Sequence, residues 1–157
     1  MIIFHSIPGH SAVQLINGFE SKVIVDRFLL KNTNMIKRKI LPVQLQEGIS
    51  SSTIFKKEQL RSWKGFWIIY FGGKKILWIN DCPSANIILS AKIELDLVII
   101  SSDSIKDLEE ILRIFDPKKV IFDCSNQKKL AFELSDQANL LNLTNVNLFE
   151  GADIIYL

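Results

Sequence analysis

Few side chains in this sequence can do chemistry unaided, and their spacing narrows the choice further. Histidine stands only at His5 and His10, and neither belongs to H-x-H-x-D-H, H-E-x-x-H or a Cys/His cluster with zinc spacing. His10 follows the Pro8-Gly9 turn and reads as a satisfied loop residue rather than a metal ligand. The Gly-rich phosphate loop, the dinucleotide fingerprint and the G-x-S-x-G elbow are all missing from the chain. Two carboxylates are better placed. Asp81 follows an apolar run at 74–80 and Asp103 follows another at 95–101. Open α/β sheets gather ligands at the carboxyl ends of their strands, so the two could converge. With His10 as a third donor they would suit a weak Mg²⁺ or Mn²⁺ site. The plainer reading is structural: Asp81 opens a turn before Pro83, and Asp103 lies near a helix start, where acids are favoured.

The other chemistry on offer is electrostatic. Lys37, Arg38, Lys39, Lys56, Lys57, Arg61 and Lys64 fall in one stretch with Trp63 among them. Cations that track phosphates, with an aromatic on which a base can stack, are the ingredients of single-strand binding. Against this stands a structural reading, in which Trp63, Phe66 and Trp67 anchor a core and the lysines are their solvated neighbours. The charge is unevenly spread. Residues 1–92 hold 13 Lys/Arg against 5 Asp/Glu, and residues 93–157 hold 6 against 12, although the net charge is only +2. A basic part of this kind suits a polyanion, with the acidic part pointing elsewhere.

The elements that must position these residues change character midway. Short β-branched runs at 2–5, 12–16 and 22–26 are separated by Pro8-Gly9 and Asn17-Gly18, so the last two runs form a hairpin. A second hairpin joins 66–71 to 74–80 through Gly72-Gly73, and its all-apolar first strand suggests cover on both faces. Between the hairpins, 28–65 is the least regular stretch, a basic insert with at most a turn or two of helix at 56–64. The second half reads as β-α-β-α-β. A strand at 95–101 leads to a helix from Ser104 to Phe115, stopped by Asp116-Pro117. A strand at 120–123, a helix at 126–141 and closing strands at 146–149 and 152–157 follow. The order argues for an α/β layered sandwich with mixed sheets.

A chain of 157 residues and 17.9 kDa reads as one domain, 1–157. With 48% apolar and 23% charged residues it is neither disordered nor fibrous. Its longest apolar runs are strand-length, far short of the ~20 residues a membrane helix needs. Cys82 and Cys124 allow one disulfide and no cysteine scaffold.

The order of pieces also carries a resemblance. "IPGHSAVQLINGFESKVIVD" at 7–26, "YFGGKKILWIND" at 70–81 and "DLVIISSDSIKDLEEILRIFDPKKVIFDCSN" at 96–126 resemble the C-terminal metallo-β-lactamase-like domain of the ComEC family. ComEC is the competence DNA-uptake channel, and the likeness is to the form found in Bacteroidetes-type bacteria. It covers nearly the whole chain, with 28–65 the weakest part. The resemblance implies a degenerate version of the fold. Active members of the wider hydrolase family carry an H-x-H-x-D-H motif after the first hairpin, and no histidine follows Asp26 here. Asp81 matches the metal-bridging Asp, whereas the later His-His-Gly-Ser is replaced by Ser102, Asp103, Ser104 and Ile105. One or two vestigial carboxylates, Asp81 and Asp103, cannot hold a dizinc centre. The implied function is a soluble, non-catalytic domain of a DNA-uptake channel, needing no cofactor and no small-molecule substrate. Its partners would be DNA and the channel's membrane-embedded part, on the periplasmic side of the inner membrane. An atypical metal nuclease built on Asp81 and Asp103, and a purely structural module, are the alternatives.

Overall fold

A computed structural model describes residues 1–60, 62–63, 66–81 and 91–156, with only the backbone of Trp63. The first sheet begins as a meander: β1 (Ile2–Phe4), β2 (Ala12–Asn17) and β3 (Glu20–Val25) pair antiparallel in turn. Gly18, at φ +59°, takes the first position of the two-residue turn between β2 and β3, where a side chain would be strained. The stretch expected to be irregular is instead ordered as three short helices, α1 (Arg27–Lys31), α2 (Thr33–Lys39) and α3 (Leu41–Gln46). They lead to β4 (Ser51–Lys56), which pairs parallel to β3. Over 56–64, where a turn or two of helix is expected, the described residues hold a single 3-10 turn at Lys57–Gln59 and then β5 (Ser62–Trp63).

The second sheet starts from β5 and the hairpin β6 (Phe66–Phe71) to β7 (Lys74–Ile79). Gly72 and Gly73 both sit at positive φ, as the tight turn between opposed Phe71 and Lys74 requires. β8 (Ile93–Ile100), β9 (Phe115–Phe122) and β10 (Asn145–Asn147) continue it in parallel, through α4 (Glu109–Leu112) and α5 (Lys128–Leu140). The chain closes with β11 (Asp153–Ile155), which returns to pair antiparallel with β1.

Two expectations fail here for visible reasons. The helix read over 104–115 shrinks to Glu109–Leu112, because Ser104 Oγ bonds back to the carbonyl of Ile79 instead of capping. Pro117 does not stop that helix but lies inside β9, opposite Leu95 and before the part of β9 that β10 covers, where a missing N–H is tolerated. The helix-side face of β6 is also more open than its sequence suggests, with Tyr70 73% exposed.

The layers follow from residue alternation. In β7, Ile76 and Trp78 turn towards the first sheet, and Leu77 and Ile79 turn towards the helices. The central core between the sheets joins Phe4, Val13, Leu15, Trp78, Ile99 and Ile121. Ile111 of α4 and Ala131, Leu134 and Ala138 of α5 cover the far face of the second sheet. Leu29 and Ile40 of the helical stretch at 27–46 cover the far face of the first, over Ala12, Val23 and Val25. The result is an α/β layered sandwich of two mixed sheets flanked by helices.

Candidate functional site

The loops that follow β3, β4, β7, β8 and β9 meet the β1–β2 loop around a cleft of about 310 Å³. Ser11, Asp26, Lys57, Asn80, Ser102 and Ser125 line it. Beneath lies a buried hydrogen-bonded network centred on Asp123. Its Oδ2 accepts from Ser11 Oγ at 2.5 Å and from Ser101 Oγ at 2.5 Å, and its Oδ1 accepts from Ser125 Oγ at 2.5 Å. Ser101 Oγ in turn accepts from the Trp78 indole N–H at 2.6 Å. Burial pushes the Asp123 carboxyl up, against the three serines that pull it down.

Lys57 caps this network from the cleft side. Only 5% exposed, it donates from Nζ to Asn80 Oδ1 and lies 5.8 and 5.7 Å from the ring centres of Trp67 and Trp78. Burial lowers its pKa, while the charges of Asp123, Asp26, Glu58 and Asp81 pull it back up. Asn80 Oδ1 also accepts from Ser102 Oγ at 3.0 Å. Ser102 and Asp103 occupy left-handed backbone at φ 58° and 54°, a strained setting for side-chain-bearing residues. The neighbouring loop holds them there: Ser102 N donates to Ser125 Oγ and Asp103 N to Asn126 Oδ1, each at 2.9 Å.

Asp26 ties the other side of the rim. Its Oδ1 accepts from Phe28 N and Leu29 N at 2.8 Å, capping α1, and its Oδ2 accepts from Ser11 N at 3.0 Å. His10 Nδ1 lies 3.0 Å from the same oxygen. Burial would raise the Asp26 pKa, but these bonds and His10 outweigh it and hold the carboxyl below its ordinary value. His5 is buried against Gln14, Nε2 to Oε1 at 3.0 Å, and burial lowers its pKa.

The residues read from the sequence separate into three groups. Asp103 is tied to the neighbouring loop, its Oδ1 accepting the Gln127 N–H at 2.7 Å, at the start of α5. Asp81 is exposed at the end of β7, close enough to act on Lys57. Lys37, Arg38 and Lys39 are exposed on α2, and Lys56 at the end of β4. Lys57 leaves the surface set altogether, because the two indole rings and Asn80 hold it inside the cleft. Arg61 and Lys64 lie outside the described residues, as do the Trp63 side chain and Cys82. Cys124 is a buried free thiol.

Sequence reasoning missed Ser11, Asp26, Ser101, Asp123, Ser125 and Asn126. For all but Ser11, which precedes β2, the signal was the one that picked out Asp81 and Asp103, a polar run just past an apolar strand.

A family model for the ComEC C-terminal domain matches residues 2–152. The chain belongs to the ComEC C-terminal domain family. No curated protein matches it. The layered sandwich agrees with the architecture that the resemblance implied, and membership ties this ComEC domain to competence DNA uptake and to a membrane-embedded channel. No described helix is long and apolar enough to cross a membrane. The metal centre of the wider hydrolase family does not fit the donors of this ComEC domain. Among the described residues no three His, Cys, Asp or Glu side chains could share an ion. Both oxygens of Asp26 and of Asp123 already accept from N–H or O–H donors, Asp103 Oδ1 accepts from Gln127 N, and Lys57 brings its own positive charge into the cleft.

Proposed function

We propose that this ComEC domain is non-catalytic and serves the DNA-uptake channel by contact, through the helical layer at 27–46. The observation that carries the reading is the charge of that layer. It holds Arg27, Lys31, Lys37, Arg38 and Lys39 and no Asp or Glu. None of the five is in an ion pair with a described residue. Cations left unpaired on one layer create a field that draws a polyanion. The cleft is a poorer place for phosphate, because Asp26, Glu58 and Asp81 surround the Lys57 ammonium. The domain requires no cofactor for this role.

Two measurements test the reading. The purified chain, incubated in turn with Zn²⁺, Mn²⁺ and Mg²⁺, is expected to hydrolyse neither DNA nor a β-lactam; metal-dependent turnover lost in Asp81→Ala would overturn the non-catalytic half. Titration with single-stranded DNA is expected to weaken steeply with salt, with a log-log slope of about −0.7 per phosphate contacted. Charge reversal at Lys37, Arg38 and Lys39 should flatten that slope, and an unchanged slope removes the layer from the account.

A further inference from the structure

We infer that the polyanion met by the 27–46 layer is an anionic lipid surface, onto which α2 and α3 lie flat. The inference rests on the contact reading above and names its partner. α2 and α3 run on with one residue, Ile40, between them. Ile40 N bonds to Ile36 O at 2.9 Å and closes α2, while Ile40 O accepts from Gln44 N at 3.2 Å and opens α3. Ile40 itself has right-handed helical backbone, so the path of the chain carries on although Pro42 has no N–H to give. Ile36 and Ile40 turn inward onto the first sheet. Arg38, Leu41 and Leu45, at spacings of three and four, fall on the opposite side, where a stripe of polar residues would be ordinary. Leu41 is 41% and Leu45 72% exposed, and Phe28 on neighbouring α1 is 61% exposed with the Arg27 guanidinium 4.7 Å from its ring centre.

Basic side chains beside outward leucines combine the two terms that hold an interfacial helix: attraction to anionic headgroups and burial of apolar side chains among the acyl chains. A DNA surface uses only the first. Nucleic-acid sites place aromatic rings among their cations, because a base stacks on a π face. Here the one exposed ring, Phe28, already carries the Arg27 guanidinium 4.7 Å from its centre, and Leu41 and Leu45 offer no π face. Within 27–46 no carboxylate repels anionic headgroups, Asp26 and Glu47 standing only at the two ends as the caps of α1 and α3. Membership of a membrane-channel family puts a bilayer within reach of the layer.

The test is co-sedimentation of the whole chain with phosphatidylcholine vesicles, with and without phosphatidylglycerol, beside a DNA titration. Wild type is expected to bind only the anionic vesicles. Leu41→Ser/Leu45→Ser should lose about tenfold in vesicle binding while keeping its DNA affinity. Lys37→Glu/Arg38→Glu/Lys39→Glu should lose roughly a hundredfold, at about fivefold per cation removed. Circular dichroism checks that both variants are folded. Vesicle binding unchanged by the leucine variant, or no vesicle binding by wild type, overturns the inference. If wild type binds DNA alone and the triple reversal abolishes it, the contact reading stands and the lipid partner falls. If the reversal alters neither ligand, the basic layer itself is the wrong surface.

Discussion

The rim cleft and the 27–46 layer both concentrate charge, and they treat it in opposite ways. In the cleft the buried charged groups are answered from within: three serines on Asp123, an amide and two indoles on Lys57, backbone N–H groups on Asp26. On the layer five cations have no ion-pair partner among the described residues. The cations of the acidic half are mostly paired, as in Lys118 with Asp96, Lys119 with Asp153 and Lys129 with Glu133. Charge satisfied internally fixes the fold and leaves little for a ligand. Charge left open on a surface is what a partner can use.

The largest effect that would test this contrast is on stability. Asp123→Ala removes the shared acceptor of three serines, two of them fully buried, and should cost about 3 kcal/mol or more in urea unfolding. A loss below 1 kcal/mol would mean that the network is ornamental. Asp26→Ala should follow at about 2 kcal/mol, from the lost α1 cap and the lost tie to Ser11.

The pH dependence separates these two carboxylates by sign. Asp26 is held below its ordinary value, so its contribution is present above the ordinary carboxylate pKa and fades as pH falls through the folded value. Asp123 is raised, so the native state keeps its proton longer, and this contribution fades as pH rises through the folded value. Asp26→Asn should therefore flatten the acid side of a stability–pH profile that Asp123→Asn steepens. Lys57→Met is a finer probe. A methionine keeps the contacts with Trp67 and Trp78 without a buried charge, and replacing buried ions by apolar groups is often near neutral. We expect a change within about 1 kcal/mol at neutral pH, together with loss of the gain in stability that wild type shows as pH climbs from the lowered Lys57 value towards the ordinary 10.5.

How much of this was legible in the sequence differs between the two regions in the same way. The hairpins were readable because Gly18 and Gly72-Gly73 announce their turns locally. α5 was readable because Leu130, Leu134 and Ala138 keep helical spacing. The failed helix at 104–115 had the right spacing too, but Ser104 and Leu108 spend their bonds on distant partners, Ile79 and Gln137, which no local pattern encodes. The cleft failed similarly. Asp123 and Ser11 are 112 residues apart, and only the meeting of the two sheets makes them partners. Lys57 looked like one more surface lysine because nothing beside it in sequence reveals the two indoles that enclose it. The basic layer was legible as charge, since a run without acids needs no fold to be recognised. Its helices were not, because residues 27–46 break into three pieces too short to show a period.

The smallest expected effect on stability gives the sharpest form of the comparison. Reversing Lys37, Arg38 and Lys39 removes no contact within the fold, so unfolding should move by no more than about 0.5 kcal/mol per site. What change there is should be a slight loss, because three acids in the last turn of α2 oppose the helix dipole that the cations favour. The same variant should lose most of its polyanion binding, whereas Asp123→Asn, destabilised but folded at low temperature, should keep it. Crossed outcomes of this kind separate a surface that acts from a cleft that holds. If Asp123→Asn loses binding while remaining folded, the cleft is coupled to the layer through the Ser11 and Asp26 links at the start of α1, and the two regions are then one site.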